Sequence, residues 1–280
     1  MRIRFWGVRG SIASPGPKTL RYGGNTPCVA VESESGELIV LDAGSGFCPL
    51  GDLLMGGPFG RGEGKMTLLL SHTHMDHLIG FPFAIPVHIP GNQFTIYGPA
   101  TSRTGLEELH EGLVAPAYSP VYTLDNIGSD LKFHQIPGES FDVGAVRVEG
   151  HRFTHGVGVF SWGFKLTSGG RTLVYIPDVE YRRGDIPDDA VAFTRGANLL
   201  IHDAHFTHKD YTPAWGHCRS RHAVMLAEAA GVARLVLFHH APDRSDDEID
   251  ALVDDHRDDL YQRNSSLRID AAYEGMTIQL

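Results

Sequence analysis

The chain has 280 residues, of which 42% are hydrophobic and 21% charged, and its formal net charge is −10. A chain of this length can bury about 75% of the surface that its unfolded state exposes, so a large core is available. Nucleic-acid-binding proteins usually carry a basic face, so the acidic balance makes a large polyphosphate surface an unexpected partner. The composition is typical of a globular enzyme.

We expect a cytoplasmic protein without a membrane segment. Met1 leads directly into the strand-like run RIRFWGV, with no apolar signal segment, and no apolar run approaches the roughly 20 residues that cross a bilayer. The cysteines Cys28, Cys48 and Cys218 lack C-x-x-C spacing, which argues against a disulfide framework and a Cys-rich zinc site. No internal linker is visible, so residues 1–280 are expected to form a single domain.

Strand-like runs alternate with amphipathic stretches along the chain. In order, the strand-like runs are IRFWGV, CVAVES, ELIVLDAG, MTLLLS, FTIYG, LKFHQI, VRVEGHRF, VFSWGFKL, RTLVYIP, NLLIHD, RLVLFHH and MTIQL. Apolar residues recur at three-to-four spacing over residues 104–114, 219–231 and 246–263, which predicts helices. Many strands with helices between and after them predict a layered α/β architecture.

Four apolar runs end at residues that can bind a metal ion. In chain order these residues are His72, Asp178, the pair His202 and Asp203, and the pair His239 and His240. Runs this continuous are typical of strands buried on both faces. If such strands stop at one edge of a sheet, they deliver these side chains to one rigid site. Taken alone, a residue such as Asp178 would more often be a turn or cap residue.

The segment HTHMDH, residues 72–77, is the strongest signal. It places His72, His74, Asp76 and His77 within six residues. Such crowded polar groups would raise one another's desolvation cost unless a cation satisfied them, although a hydrogen-bonded core cluster is the alternative. A catalytic zinc takes about three protein ligands plus water, so two ions would also need the groups at the later strand ends.

HTHMDH resembles the His-x-His-x-Asp-His signature of the metallo-β-lactamase superfamily. Later residues follow in that superfamily's order, with His155 in RFTHG, Asp178 in VYIPD and His239 in LVLFHH. The resemblance covers nearly the whole chain. It implies a four-layer αβ/βα sandwich with a two-metal centre at one edge of the paired sheets.

The resemblance also implies a ligand set. The first ion would be held by His72, His74 and His155, the second by Asp76, His77 and His239, and Asp178 would bridge the two. His151 competes with His155, and His240 competes with His239. We expect two divalent ions, zinc first, with Mn²⁺ or Fe as alternatives, because affinity order alone does not select the metal in a cell.

Within the superfamily, the chain resembles the phosphodiesterase branch that includes ribonuclease Z. LLIHDAHF supplies Asp203, and WGHCRSRHAV supplies His217 before a helix. The opening FWGVRGSI, with GGNTPCVAV and LDAG, resembles a bacterial group of hydrolases in this branch. Ribonuclease Z carries a long arm that grips tRNA. The segment after His155 leaves no room for one, so tRNA is not an expected partner.

The resemblance implies hydrolysis by activated water. Two ions about 3.5–4 Å apart lower the pKa of bound water from 15.7 to about 7 and give a dinuclear-metal-bound hydroxide. Asp76 would hold one of these ions. His217, oriented by Asp203, would protonate the leaving group, a contribution of about 10² to 10⁴ in rate. The alternatives are a helix-start role for His217 and a capping or ligand-supporting role for Asp203.

The expected substrate is a small phosphodiester, such as a cyclic nucleotide. The first alternative is a carboxylic ester, thioester or lactone hydrolysed at the same metal centre, and a lactonase often uses a tyrosine near the metals. A second alternative is a metal-binding sensor without catalysis. We interpret His205, His208 and His222 as surface or pocket-lining residues. The resemblance is also compatible with a homodimer.

Overall fold

Two seven-stranded sheets form the centre of the computed structural model, which describes residues 1–99, 127–138, 140–181 and 185–280. In spatial order, the first sheet contains β14 (Thr277–Gln279), β1 (Arg2–Gly7), β2 (Cys28–Glu32), β3 (Leu38–Leu41), β4 (Lys65–Leu69), β5 (Gln93–Gly98) and β6 (Asp130–Gln135). The second contains β13 (Arg268–Ala271), β12 (Arg234–Phe238), β11 (Leu199–Asp203), β10 (Arg171–Ile176), β9 (Phe160–Ser168), β8 (Val146–Thr154) and β7 (Phe141–Val143).

Each sheet contains a parallel half. Strands β3 to β6 run parallel to one another in the first sheet, and β10 to β13 do so in the second. The carboxyl ends of parallel strands lie at one edge of their sheet. Four of these strands (β4, β10, β11 and β12) are the apolar runs that end in metal-capable residues, so the fold brings their ends to common edges.

Strands β10, β11 and β12 of the second sheet are buried on both faces over most of their length, as the continuous apolar runs predict. In β10, Leu173 and Tyr175 belong to the core between the two sheets, whereas Val174 and Ile176 pack toward the helices. Alternate side chains of a strand point to opposite faces, so a strand covered on both sides must be apolar at every position. This explains why TLVYI carries no alternation of polar residues.

Helices cover the outer face of each sheet. The described residues contain α1 (Phe47–Leu54), α2 (Asp188–Thr194), α3 (Ser220–Ala229) and α4 (Asp246–Gln262). Phe47 of α1 packs on the first sheet, and Leu226 of α3 and Ile249 of α4 pack on the second. The layers are therefore helix, sheet, sheet and helices, which confirms the predicted αβ/βα sandwich.

The sequence pattern located most, but not all, of these elements. Helices α3 and α4 lie within the two later predicted ranges, and the predicted helix over residues 104–114 lies outside the described residues. The short elements α1, α2, β7 and β13 were not predicted. They have three to eight residues each, too few to show a period. No helix in the described ranges has the length and apolarity to cross a membrane.

Arg9 is a fully buried cation that joins two loops. Its Nε donates to the carbonyl of Gly23 (2.8 Å), and its Nη1 donates to the carbonyls of Ala241 (3.2 Å) and Arg244 (2.6 Å). Its Nη2 lies 3.6 Å from Oδ1 of Asp246 at the start of α4. The guanidinium therefore fixes the loop after β1 against the segment that follows β12.

We expect Arg9→Ala to lower the free energy of unfolding by about 3–5 kcal/mol, because it leaves buried carbonyls and the Asp246 carboxylate without this partner. Urea denaturation measures the change. Arg61→Ala is the control, since Arg61 pairs with Glu63 on the surface and its loss should cost less than about 1 kcal/mol. Equal losses for the two variants would contradict the role of Arg9.

Candidate metal centre

Asp178 lies at the centre of the residues that the sequence singled out, and it is only 1% exposed. Its Oδ2 lies 3.7 Å from Nε2 of His72 and 3.5 Å from Nε2 of His155. Its Oδ1 lies 3.3 Å from Nε2 of both His77 and His239. One oxygen thus faces histidines proposed for the first ion, and the other faces histidines proposed for the second.

His74 and Asp76, the remaining two predicted ligands, lie next to the same histidines. Nδ1 of His74 lies 3.0 Å from Nε2 of His155. Oδ2 of Asp76 lies 3.2 Å from Nε2 of His239 and 3.4 Å from Nε2 of His77. All seven residues predicted to bind metal therefore meet in one cluster, although their chain positions span more than half of the sequence.

The competing histidines lie elsewhere. His151 is in the middle of β8, where its Nε2 is 3.6 Å from Oδ2 of Asp189 and its ring stacks on Phe193. His240 turns away from the cluster and donates from Nε2 to the carbonyl of Ala272 (2.9 Å). The fold thus brings His155 and His239, not these two, next to Asp178.

Asp42 is a residue of the site that the sequence analysis missed. Its Oδ2 accepts hydrogen bonds from Nδ1 of His77 (2.8 Å), the hydroxyl of Tyr175 (2.7 Å) and the hydroxyl of Ser71 (2.9 Å). A histidine whose Nδ1 donates to a carboxylate presents Nε2 as its ligand atom. The local sequence signal for Asp42 is the segment LDAG at the end of a buried strand. This segment contributed only to the family resemblance.

The loop after β1 closes the cluster from another side. The backbone N–H of Ser11 donates to Oδ2 of Asp76 (2.8 Å). A Cβ atom on Gly10 would lie 2.3 Å from Nδ1 of His239, so only glycine allows this close approach. Asp42, Ser11 and His239 all have positive φ angles of 57° to 64°. Such strained conformations in non-glycine residues cluster at functional sites.

Several polar atoms of the cluster have no hydrogen-bond partner in the part of the chain that the structure describes. Nε2 of His72, Nε2 of His77 and Oδ1 of Asp178 are buried and make no hydrogen bond to any described residue. An unsatisfied buried polar atom costs about 1–3 kcal/mol. Imidazole nitrogens and carboxylate oxygens that point into one small space are the donor set of zinc and related divalent ions. The residues present therefore fit metal ions.

Electrostatics keep several of these groups in the protonation state that a metal requires, as neutral imidazoles and ionised carboxylates. Burial lowers the pKa of His72 and of His74. Burial opposes ionisation of Asp76, but His77 and His239 outweigh it and hold the pKa of Asp76 well below its usual range. The pKa of His77 is instead raised, because neighbouring carboxylates outweigh burial. At its Nε2 a metal ion would replace the proton.

Asp203 and His217 form a buried pair beside the cluster. Nδ1 of His217 donates to Oδ2 of Asp203 (3.1 Å) and lies 3.9 Å from Oδ2 of Asp178. Burial disfavours the charged imidazole, but Asp203 outweighs it and raises the pKa of His217 to about 9. The neighbouring His202 points away from the cluster, since its Nε2 accepts a hydrogen bond from the hydroxyl of Tyr181 (2.9 Å).

The comparison with known protein families identifies the fold family. Residues 39–240 match the model described as the Beta-lactamase superfamily domain. The chain belongs to this superfamily. The resemblance drawn from HTHMDH and the later strand ends is thereby confirmed, and this superfamily comprises metal-dependent hydrolases.

Individual relatives and solved structures are similar to this protein over most of the chain. A ribonuclease Z from Pyrococcus abyssi is 24% identical, over 78% of this chain and 81% of the relative. The metallo-β-lactamase fold protein YhfI from Bacillus subtilis has a TM-score of 0.70 at 20% identity, over 99% of this chain and 98% of that structure. A diphosphatase of the PhnP family has a TM-score of 0.68 at 18% identity, over 100% and 97%.

We expect Asp42→Asn to weaken zinc binding by about 10- to 100-fold, because His77 loses the carboxylate that orients it. Competition with a chromophoric chelator measures the affinity. The matched control is Asp52→Asn, which changes an exposed carboxylate on α1 and should leave the affinity unchanged. Unchanged zinc affinity in Asp42→Asn would rule out this supporting role.

The number of bound ions tests the proposed ligand set. After dialysis against zinc, we expect His155→Ala to retain one ion fewer than the wild type, and Asp178→Ala to bind both ions weakly. His151→Ala should bind as many ions as the wild type, because it lies outside the cluster. Elemental analysis by mass spectrometry gives the count. If His151→Ala loses an ion and His155→Ala does not, the ligand set is wrong.

Proposed function

We propose that this protein is a dinuclear, metal-dependent phosphodiester hydrolase acting on a small substrate, such as a cyclic nucleotide. The observation that carries the proposal is the Asp203–His217 pair, whose imidazole lies 3.9 Å from Oδ2 of Asp178 in the cluster. Hydrolysis of a phosphodiester expels an alkoxide unless the leaving oxygen is protonated. The reaction therefore benefits from an acid beside the cluster.

In this proposal, the seven cluster residues would hold two divalent ions, most simply zinc. Bound ions would supply Lewis-acid stabilisation of the phosphoryl oxygens and lower the pKa of water. Asp178 would orient both groups of histidines, since each of its oxygens faces one group. Asp42 and the carbonyl of Gly216 would fix the rings of His77 and His155 by accepting hydrogen bonds from their Nδ1 atoms.

His217 would provide the proton. Its Nδ1 is committed to Asp203, so Nε2 is the atom that can donate to the leaving oxygen. A pKa near 9 keeps the ring protonated at neutral pH. Neighbouring cations would lower this pKa and make the proton easier to transfer.

A small substrate fits this chain better than tRNA. The connection between β8 and β9 comprises only residues 155–159, and the net charge is −10. A protein that grips RNA neutralises phosphates with basic side chains. The ribonuclease Z relative and the PhnP-family diphosphatase support phosphorus–oxygen bond hydrolysis as the reaction class, and neither specifies the substrate of this protein.

Hydrolysis of a lactone or ester is the alternative at the same centre. The buried tyrosines Tyr175 and Tyr181 are already engaged, because the hydroxyl of Tyr175 donates to Asp42 and that of Tyr181 donates to His202. Neither is placed to assist a lactone. We favour the phosphodiester because the site offers the Asp203–His217 pair as an acid while these two tyrosine hydroxyls are committed elsewhere.

The test is a substrate panel with the zinc-loaded protein. It compares bis(p-nitrophenyl) phosphate and cyclic nucleotides with lactones and thioesters. We expect diester hydrolysis that Asp76→Ala abolishes. His217→Ala should lose about 10² to 10⁴ in rate with cyclic nucleotides, whose alkoxide needs a proton, and far less with p-nitrophenolate, a stable anion.

The exposed His208 provides the control, since His208→Ala should leave both rates unchanged. Turnover of lactones alone would refute the phosphodiesterase proposal. Equal losses for both leaving groups in His217→Ala would refute the role of His217 as the acid while leaving the reaction class intact.

A further inference from the structure

His205 is a buried histidine beside the acid pair with no role in the scheme so far. It follows β11, and its backbone N–H donates to Oδ1 of Asp203 (2.8 Å). Its ring is stacked on His217 with centroids 4.3 Å apart and an angle of 14° between the rings, and it lies 5.7 Å from the ring of His239. The side chain is thus fixed in the site, with the residue only 5% exposed.

Its ring nitrogens lie close enough to those of His217 and His239 for the three residues to be considered a metal site. The ring planes argue against it. An imidazole binds a metal through a lone pair in the plane of its ring, and the rings of His205 and His217 are nearly parallel. Their lone pairs therefore run side by side and do not converge on one ion.

The surroundings of His205 assign its tautomer. Nδ1 is buried, has no partner among the described residues, and faces the backbone of Gly10. An unpaired buried N–H is rarer in proteins than an unpaired acceptor. Nδ1 is therefore the unprotonated nitrogen, and Nε2 carries the proton. Nε2 is not among the buried unpartnered atoms of the described residues, so of the two nitrogens it is the one we assign to a ligand.

We infer that His205 is a substrate-binding residue. Its Nε2–H would donate a hydrogen bond to a non-bridging phosphoryl oxygen of the diester, while His217 serves the leaving oxygen next to it. This inference rests on the proposed function, since it assumes a phosphoryl group in the site. A packing role alone would not explain an imidazole here, because a phenyl ring would stack on His217 without an unpartnered nitrogen.

Three variants separate the possible roles of His205. The amide of His205→Gln places a donor near the position of Nε2, and that of His205→Asn places one near Nδ1. His205→Phe keeps a flat ring without a donor. His208→Gln is the control in the same loop, because His208 is exposed. Each metal-loaded variant is assayed for kcat and KM with bis(p-nitrophenyl) phosphate, for its dissociation constant for inorganic phosphate by calorimetry, and for metal content.

We expect His205→Phe and His205→Asn to lose about 10- to 100-fold in kcat/KM and to bind phosphate correspondingly more weakly, with unchanged metal content. The kcat/KM and the phosphate affinity of His205→Gln should both stay within about threefold of the wild-type values. If His205→Phe behaves like the wild type, the ring of His205 serves only for packing, and the inference is overturned. Equal losses in His205→Gln and His205→Phe, or loss of a metal ion in any of the three variants, would also overturn the inference.

The phosphate measurement keeps the two proposals separable. If the wild-type protein hydrolyses no diester, the proposed function fails, and the phosphate constants of the variants still decide whether His205 binds a phosphoryl group. If the wild type is active and the variants bind phosphate as it does, the inference on His205 alone fails.

Discussion

The contact of Asp178 with four imidazoles is the constraint on which the rest of the site depends. The carboxylate is almost completely buried, and its two oxygens face His72 and His155 on one side and His77 and His239 on the other. So many polar groups in a water-poor space are costly unless cations and hydrogen bonds satisfy them. A site of this kind requires a scaffold rigid enough to hold the groups together.

The two sheets provide that rigidity. Residues 72–77 follow β4 of the first sheet, whereas Asp178 and His239 follow β10 and β12 of the second. The cluster therefore forms only where the two sheets pack on each other. Tyr175 belongs to the core between the sheets and donates to Asp42, which orients His77. Packing of the core and orientation of the cluster are thus physically connected.

The metal-capable cluster and the Asp203–His217 pair come from different parts of the fold. The strand ends from both sheets bring the metal-capable residues together, while Asp203, His205 and His217 come from the second sheet and the loop after β11. Asp203 links the two parts, since it also accepts from the backbone N–H of Val179, next to Asp178. A change in this carboxylate would therefore affect both His217 and the segment that carries Asp178.

The sequence by itself determined the layered fold and the metal-capable segment HTHMDH, because apolar runs and this motif are local patterns. The later ligand positions were implied by the family resemblance, which left His151 against His155 and His240 against His239 open. Only the tertiary structure placed His239 next to Asp178 and turned His240 toward Ala272. Neighbouring residues at a strand end point in different directions, so spacing alone cannot assign them. Local pattern did not reveal the contacts of Asp42, whose only signal was LDAG, or the place of His205 beside His217. What distinguishes them is contact with residues distant in the chain, including His77 and His239, and such contacts exist only once the sheets have packed.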